Sequence, residues 1–238
     1  MADTKPLGPV EHVIVLMFEN RSFDNMLGGL YPHGPGFDGV PPGWSNPTDP
    51  GDPNSAQVPA FQAPPGDAAQ IMPFPDPNED YADMAEQIRE GTMKGFVHNY
   101  AKAIQQRGHD PRAVRDIMQY YAPGPEGNIP VTSALAQTYA VSDRYFGSGP
   151  VQTWANRLFA HCATPGSYQK DGETYAYLNN VDYRNYHDLD PFFGQLDFPT
   201  VFELLDAAHG DPDHPARKVY YDGEVPVSAF LKGHRISL

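Results

Sequence analysis

Two stretches of the chain place reactive and ligating side chains where a fold can use them. In the first, Glu19 and Asn20 follow directly on the apolar, β-branched run VIVLMF at residues 13–18. A carboxylate and an amide oxygen are hard ligands, suited to a divalent cation or to contact with a phosphoryl group. In an open α/β sheet, ligands bind in the crevice beyond the carboxyl ends of the strands, which is where these two residues would stand. The same string reads equally as a cap and turn, with Ser22 or Asp24 capping a short helix. In the second stretch, Thr153 follows the breaker GSGP at residues 147–150 and is itself followed by Asn156 and Arg157. A hydroxyl at a helix N-terminus lies where backbone N–H groups and the helix dipole favour an anion. A phosphoryl group attacked by Thr153 would meet those donors, and the Arg157 fork could hold its oxygens. A metal beside Glu19 could lower the hydroxyl pKa. Here too a plain structural reading stands beside the chemical one, with Thr153 as an N-cap and Arg157 as a surface partner for a carboxylate.

The elements that would carry these residues follow from periodicity. Residues 13–18 form a continuous apolar run of the kind buried on both faces inside a parallel sheet. From Gly28 to about Pro77 the chain is rich in Pro and Gly, which predicts a long stretch without regular elements, either a border to a site or a surface insertion. Apolar residues at helical spacing predict helices over 80–90, 93–106, 110–121, 130–140, 153–163 and 200–208. Residues 141–146 and 218–221 read as short strands. Strand and helix alternating in this way give an α/β fold.

Composition narrows the classes. The 238 residues carry 16 Lys+Arg against 30 Asp+Glu, a formal net charge of −14. Such a chain repels phosphate backbones, so a non-specific nucleic-acid binder is excluded. With 14 Tyr and 13 Phe it is too aromatic for wholesale disorder. The lone Cys162 excludes an intrachain disulfide framework and a multi-cysteine zinc site, and reads as a small core residue. No apolar run approaches the roughly 18 residues of a membrane span. The opening MADTKPLGPVEH lacks a basic n-region and an apolar h-region, so no secretory signal is expected there. The nine His form no HExxH-like ligand spacing and read as scattered surface residues.

Two long blocks carry a family resemblance. The string EHVIVLMFENRSFDNMLG at residues 11–28 resembles the opening signature of the bacterial phospholipase C / acid phosphatase phosphoesterase family, within the alkaline-phosphatase-like α/β hydrolases. The segment SDRYFGSGPVQTWANR at residues 142–157 resembles that family's second block. DPNED at 76–80, GTMKGF at 91–96, PTVFELL at 199–205 and VYY at 219–221 are similar as well. The resemblance implies a mainly parallel central sheet flanked by helices. It extends over a single domain, residues 1–238, with an insertion at about 28–77. It implies that Glu19 and Asn20 bind a divalent metal ion and the phosphoryl group, and that Thr153 is the nucleophile and a metal neighbour. Asn156 and Arg157 would support the turn that presents it. Asp143 is expected to anchor a loop. The implied reaction is metal-assisted hydrolysis of a phosphomonoester or a phospholipid headgroup diester through a phosphothreonine.

The sequence departs from the pattern in three places. Ala155 stands where the family has Pro. Asn78 or Glu79 stands near where many members have a His after an Asp. The acidic block that completes the family's metal site has no match after Tyr221, although Asp222, Glu224 and His234 are available. Two further readings therefore stay open. One is an incomplete member or fragment that binds phosphate-like anions without turnover. The other is an oligomer or a further segment that completes the site. Relatives are often exported, whereas this N-terminus carries no visible signal, so the cytoplasm is the default location.

Overall fold

A computed structural model describes residues 10, 12–18, 20–66, 73–180, 199–210 and 216–218. Its core lies where helix α3 (Phe96–Arg107) packs on a 3₁₀ helix (Pro111–Met118). Val97, Tyr100, Ala103 and Ile104 recur at helical spacing along α3 and are all buried. Ala113, Val114 and Ile117 of the 3₁₀ helix close over Tyr100, Ala103 and Ile104. Each large side chain buried this way contributes about 1.5–3 kcal/mol of transfer free energy. Gly108 ends α3 in the left-handed region, φ 68°, where a Cβ would be strained.

Helix α2 (Tyr81–Ile88) is joined to α3 by a polar network centred on the buried Asn99. Asn99 is fully buried, and its Nδ2 donates to Asp83 Oδ1 at 2.6 Å and to Glu86 Oε2 at 2.8 Å. Gln87 Nε2 donates to Asn99 Oδ1 at 2.9 Å. A buried amide costs free energy unless its hydrogen bonds are made, and here both ends of Asn99 are paired. Burial of Asn99 with these partners therefore fixes the register of α2 on α3.

The remaining elements are short. Helix α1 (Phe23–Leu27) starts at Ser22, whose Oγ accepts from Asn25 N–H at 3.1 Å, so the cap expected at Ser22 or Asp24 is Ser22. Strands β1 (Ser45–Pro47) and β2 (Gln57–Pro59) form an antiparallel pair. β3 (Phe61–Gln62) and β4 (Gln119–Tyr120) form a parallel one. Helices α4 (Pro130–Thr138) and α5 (Thr153–Cys162) follow, then the hairpin β5 (Ser167–Lys170) and β6 (Glu173–Ala176), then α6 (Val201–His209). A capping box, in which Thr200 and Glu203 exchange hydrogen bonds, begins α6.

This is a mixed helix and strand architecture, and it corrects several expectations. Residues 12–18 belong to no strand among the described residues, and Ile14 and Val15 are 92% and 77% exposed. An apolar β-branched run becomes a buried strand only where neighbours cover it, and the described residues do not cover this one. Residues 141–146 also form no strand, and Tyr145 and Phe146 are exposed. The described sheets are two-stranded, with no central parallel sheet among them. The Pro/Gly stretch holds β1, β2 and β3, because ladder pairing at Asn46–Val58 outweighs weak local propensity. The helix expected over 110–121 is a 3₁₀ helix that passes directly into β4. Lys218 is in no strand, and the rest of 218–221 lies outside the described residues.

Candidate active site

Helix α5 begins at Thr153, as its spacing predicts, but Thr153 is the first helical residue and Gln152 the cap. Pro150 cannot donate a backbone hydrogen bond, which favours a helix start just beyond it. Val151 is buried at 4% exposure and pins the entry, while Ala155 and Leu158 form the buried face. Asn156 and Arg157 lie three and four residues after Thr153, so all three share one side of the helix. All three are half-buried. Asn156 Nδ2 turns back to donate to Val151 O at 2.5 Å, and its N–H donates to Gln152 O at 3.0 Å. Asn156 therefore holds the turn that presents Thr153. Ala155 has no exposed surface, so the position where the family pattern has Pro is filled by a small side chain facing inward.

The N-terminus of α5 is not left open. Trp154 N–H donates to Asn180 Oδ1 at 2.9 Å. Asn180 N–H donates in return to Gln152 Oε1 at 2.7 Å, and Gln152 N–H to Leu178 O at 3.0 Å. One of the donors that the sequence assigned to a bound anion is thus already in use. Neither Gln152 nor Asn180 stood out in the sequence. The only signal was an Asn-Asn pair at residues 179–180, and it names no partner.

The first block is placed less completely. Glu19, the expected metal ligand, lies outside the described residues. Asn20 is exposed and left-handed, φ 63°, a conformation that Asn tolerates better than most residues, and its carbonyl accepts from Arg21 Nη1 at 2.8 Å. No hydrogen bond among the described residues joins Asn20 to Thr153 or Asn156. A different pair links the region after the first block to the second. Asp38 N–H donates to Asp143 Oδ2 at 2.7 Å, and Arg144 approaches Asp38 at 3.7 Å. Asp143 therefore anchors a loop, as expected. Burial raises the Asp24 carboxyl above its usual range, with Asp38 adding to the effect and His33 opposing it.

The donor set expected for a divalent metal is Glu19, Asn20 and Thr153, of which Glu19 lies outside the described residues. Among the described residues no three His, Cys, Asp or Glu side chains come together as a metal cluster. Asn20 and Thr153 alone supply an amide and a hydroxyl oxygen, fewer than the six or so oxygens a hard cation takes. The described residues do not by themselves form a metal centre.

The chain belongs to the Phosphoesterase family, whose model matches residues 10–215. It is 37% identical over 180 residues to non-specific phospholipase C3 of Arabidopsis thaliana, covering 70% of this chain and 32% of that protein. It is 33% identical over 164 residues to non-specific phospholipase C1 of the same plant, covering 66% and 28%. Phospholipase C B of Mycobacterium tuberculosis is 29% identical over 161 residues, covering 64% and 29%. The chain thus spans about a third of the length of these relatives. Among the described residues no helix is long and apolar enough to cross a membrane.

Proposed function

We propose that this chain carries the nucleophile half of a phosphoric ester hydrolase of the phospholipase C type, with Thr153 as the attacking residue. The observation that carries the reading is the placement of Thr153 at the first position of α5, with Asn156 and Arg157 on the same side. This occurs within a family match that runs from residue 10 to residue 215. The substrate is a phosphomonoester or a phospholipid headgroup diester, the second being in line with the phospholipase C names of the plant and mycobacterial relatives.

The reaction runs in two displacements. Thr153 Oγ1 attacks phosphorus, the bond from phosphorus to the ester oxygen breaks, and the departing alcohol takes up a proton. Water then attacks the same phosphorus and breaks its bond to Thr153. The threonine hydroxyl is restored, and phosphate or the phosphorylated headgroup leaves. Arg157 presents a fork of donors to the phosphoryl oxygens. Asn156 keeps the turn closed, and Asn20 contributes a polar contact to the phosphoryl group. A divalent metal near Glu19, Asn20 and Thr153 would neutralise charge on the reacting oxygens. The parallel central sheet of an alkaline-phosphatase-like fold is part of the same proposal for the complete domain.

The test is steady-state hydrolysis of p-nitrophenyl phosphate and p-nitrophenyl phosphorylcholine by the wild type and by Thr153→Ala. Loss of the nucleophile lowers kcat by about 10³-fold or more. Unchanged kcat in Thr153→Ala removes Thr153 from the role. Phosphate binding with no turnover by the wild type supports the incomplete-site alternative instead.

A further inference from the structure

Residues 177–180 cross the start of α5 as a strap. They emerge directly from the hairpin β5–β6, and Tyr177, which is buried, donates its N–H to Gly166 O at 3.1 Å at the hairpin base. Its two asparagines point their side-chain oxygens at two different helices. Asn179 Oδ1 accepts from Tyr81 N–H, the first residue of α2, at 2.7 Å. Asn180 Oδ1 accepts from Trp154 N–H, the second residue of α5, at 2.9 Å.

The bonds around Asn180 reproduce a capping box with its two halves on separate segments. In a local box the cap side chain accepts from a helix N–H, and a side chain inside the helix reaches back to the cap N–H. Here Gln152 occupies the cap position of α5, and its side chain makes no cap hydrogen bond. Its Oε1 instead accepts from Asn180 N–H at 2.7 Å, and the missing cap is supplied by Asn180. The first turn of α5 is consequently defined by a residue 26 positions downstream of the N–H it caps. Thr153 lies between Gln152 and Trp154, the two residues this exchange holds.

We propose that Asn180 is a positioning residue for Thr153, fixing the nucleophile's place by capping α5 from the strap. This rests on the reading of Thr153 as the nucleophile. Asn180 acts through Trp154 N–H and Gln152, and it does not touch the substrate. A cap of this kind fixes the backbone on both sides of Thr153, so its loss slows the displacement within the bound complex more than it weakens binding. A phosphoryl group attacked by Thr153 would lie at the same helix N-terminus that Asn180 caps, so a negative charge at residue 180 repels the substrate even when the cap is kept.

The experiment compares the wild type with Asn180→Ala, Asn180→Asp and Asn179→Ala in the full chain. It measures kcat and KM for p-nitrophenyl phosphate together with amide exchange at Trp154. Asn180→Ala is expected to speed Trp154 exchange about tenfold or more while the buried centre of α3 stays protected. Its kcat should fall about 10–100-fold with KM within about twofold. Asn180→Asp keeps an acceptor oxygen, so Trp154 protection returns and kcat recovers, while KM rises. Asn179→Ala loosens the start of α2 and leaves kcat unchanged. An active wild type with unchanged kcat in Asn180→Ala overturns the proposal alone, as does unchanged Trp154 exchange. Equal loss of kcat in Asn179→Ala also overturns it, because that pattern reports a general loss of folding. A wild type without turnover, whether or not it binds phosphate, overturns the Thr153 reading and this proposal with it. Should Asn180→Ala fail to fold, Asn180→Asp decides: recovered kcat with raised KM supports the proposal, and wild-type KM overturns it.

Discussion

The backbone N–H of Asp38 donates to the carboxylate of Asp143 at 2.7 Å, across 105 residues of sequence. This bond ties the Gly/Pro-rich stretch that follows α1 to the segment leading into α5. It gives the long stretch a defined anchor on that segment. Replacing Asp143 with Ala removes the acceptor and leaves the helices intact. The expected result is faster amide exchange at Asp38 and faster proteolytic cleavage between Gly34 and Gly43, with little change in Tm. Exchange at Asp38 equal to the wild type would show that the loop is held by other contacts.

Glu86 links the polar network to solution pH. The hydrogen bond from Lys102 holds its carboxyl below the usual range, and Asn99 adds to this. A folded-state pKa below the unfolded value stabilises the fold above the unfolded pKa, and that stabilisation is lost as pH falls through the folded pKa. Glu86→Gln should therefore lower Tm at pH 7. Its Tm should fall less steeply than the wild type's between about pH 5 and pH 3. Thermal melts across that range check both slopes.

The core and an orphaned hydroxyl give opposite mutational signs. Ile104 is 2% exposed inside the α3 cluster, and Ile104→Ala should cost about 2–5 kcal/mol in urea melts. Ser133 is fully buried on α4, and its Oγ has no hydrogen-bond partner among the described residues. Ser133→Ala should accordingly be neutral or raise stability by about 1 kcal/mol.

Cys162 closes α5 half-buried, and burial pushes its thiol up to about 11, with Glu203 adding to the shift. The thiolate is the reactive form, so the native protein should react with a disulfide reagent slowly at pH 8 and fully only after denaturation. Prompt native labelling would contradict this placement.

Much of the site's scaffold was legible because it is local. Ser22, the breaker at residues 147–150 and the apolar spacing after Thr153 each state a helix start in a few consecutive residues. Asp143 was legible as an anchor, though its partner Asp38 was not. What the sequence did not reveal depends on distant partners. Residues 13–18 read as a buried strand from their own apolar character, yet burial is decided by neighbours that the run does not contain. The 3₁₀ helix at Pro111–Met118 shares the spacing of an α-helix over so short a length. Asn180 was invisible because a cap supplied 26 residues away leaves no pattern in the sequence around Thr153.

The central claim is that Thr153 takes the phosphoryl group. It is tested most directly by acid-quenching the chain during turnover of p-nitrophenyl phosphate and mapping the peptides by mass spectrometry. One phosphoryl group on Thr153 in the wild type, absent in Thr153→Ala, is the predicted result. Turnover without that adduct, or an adduct on another residue, would contradict it.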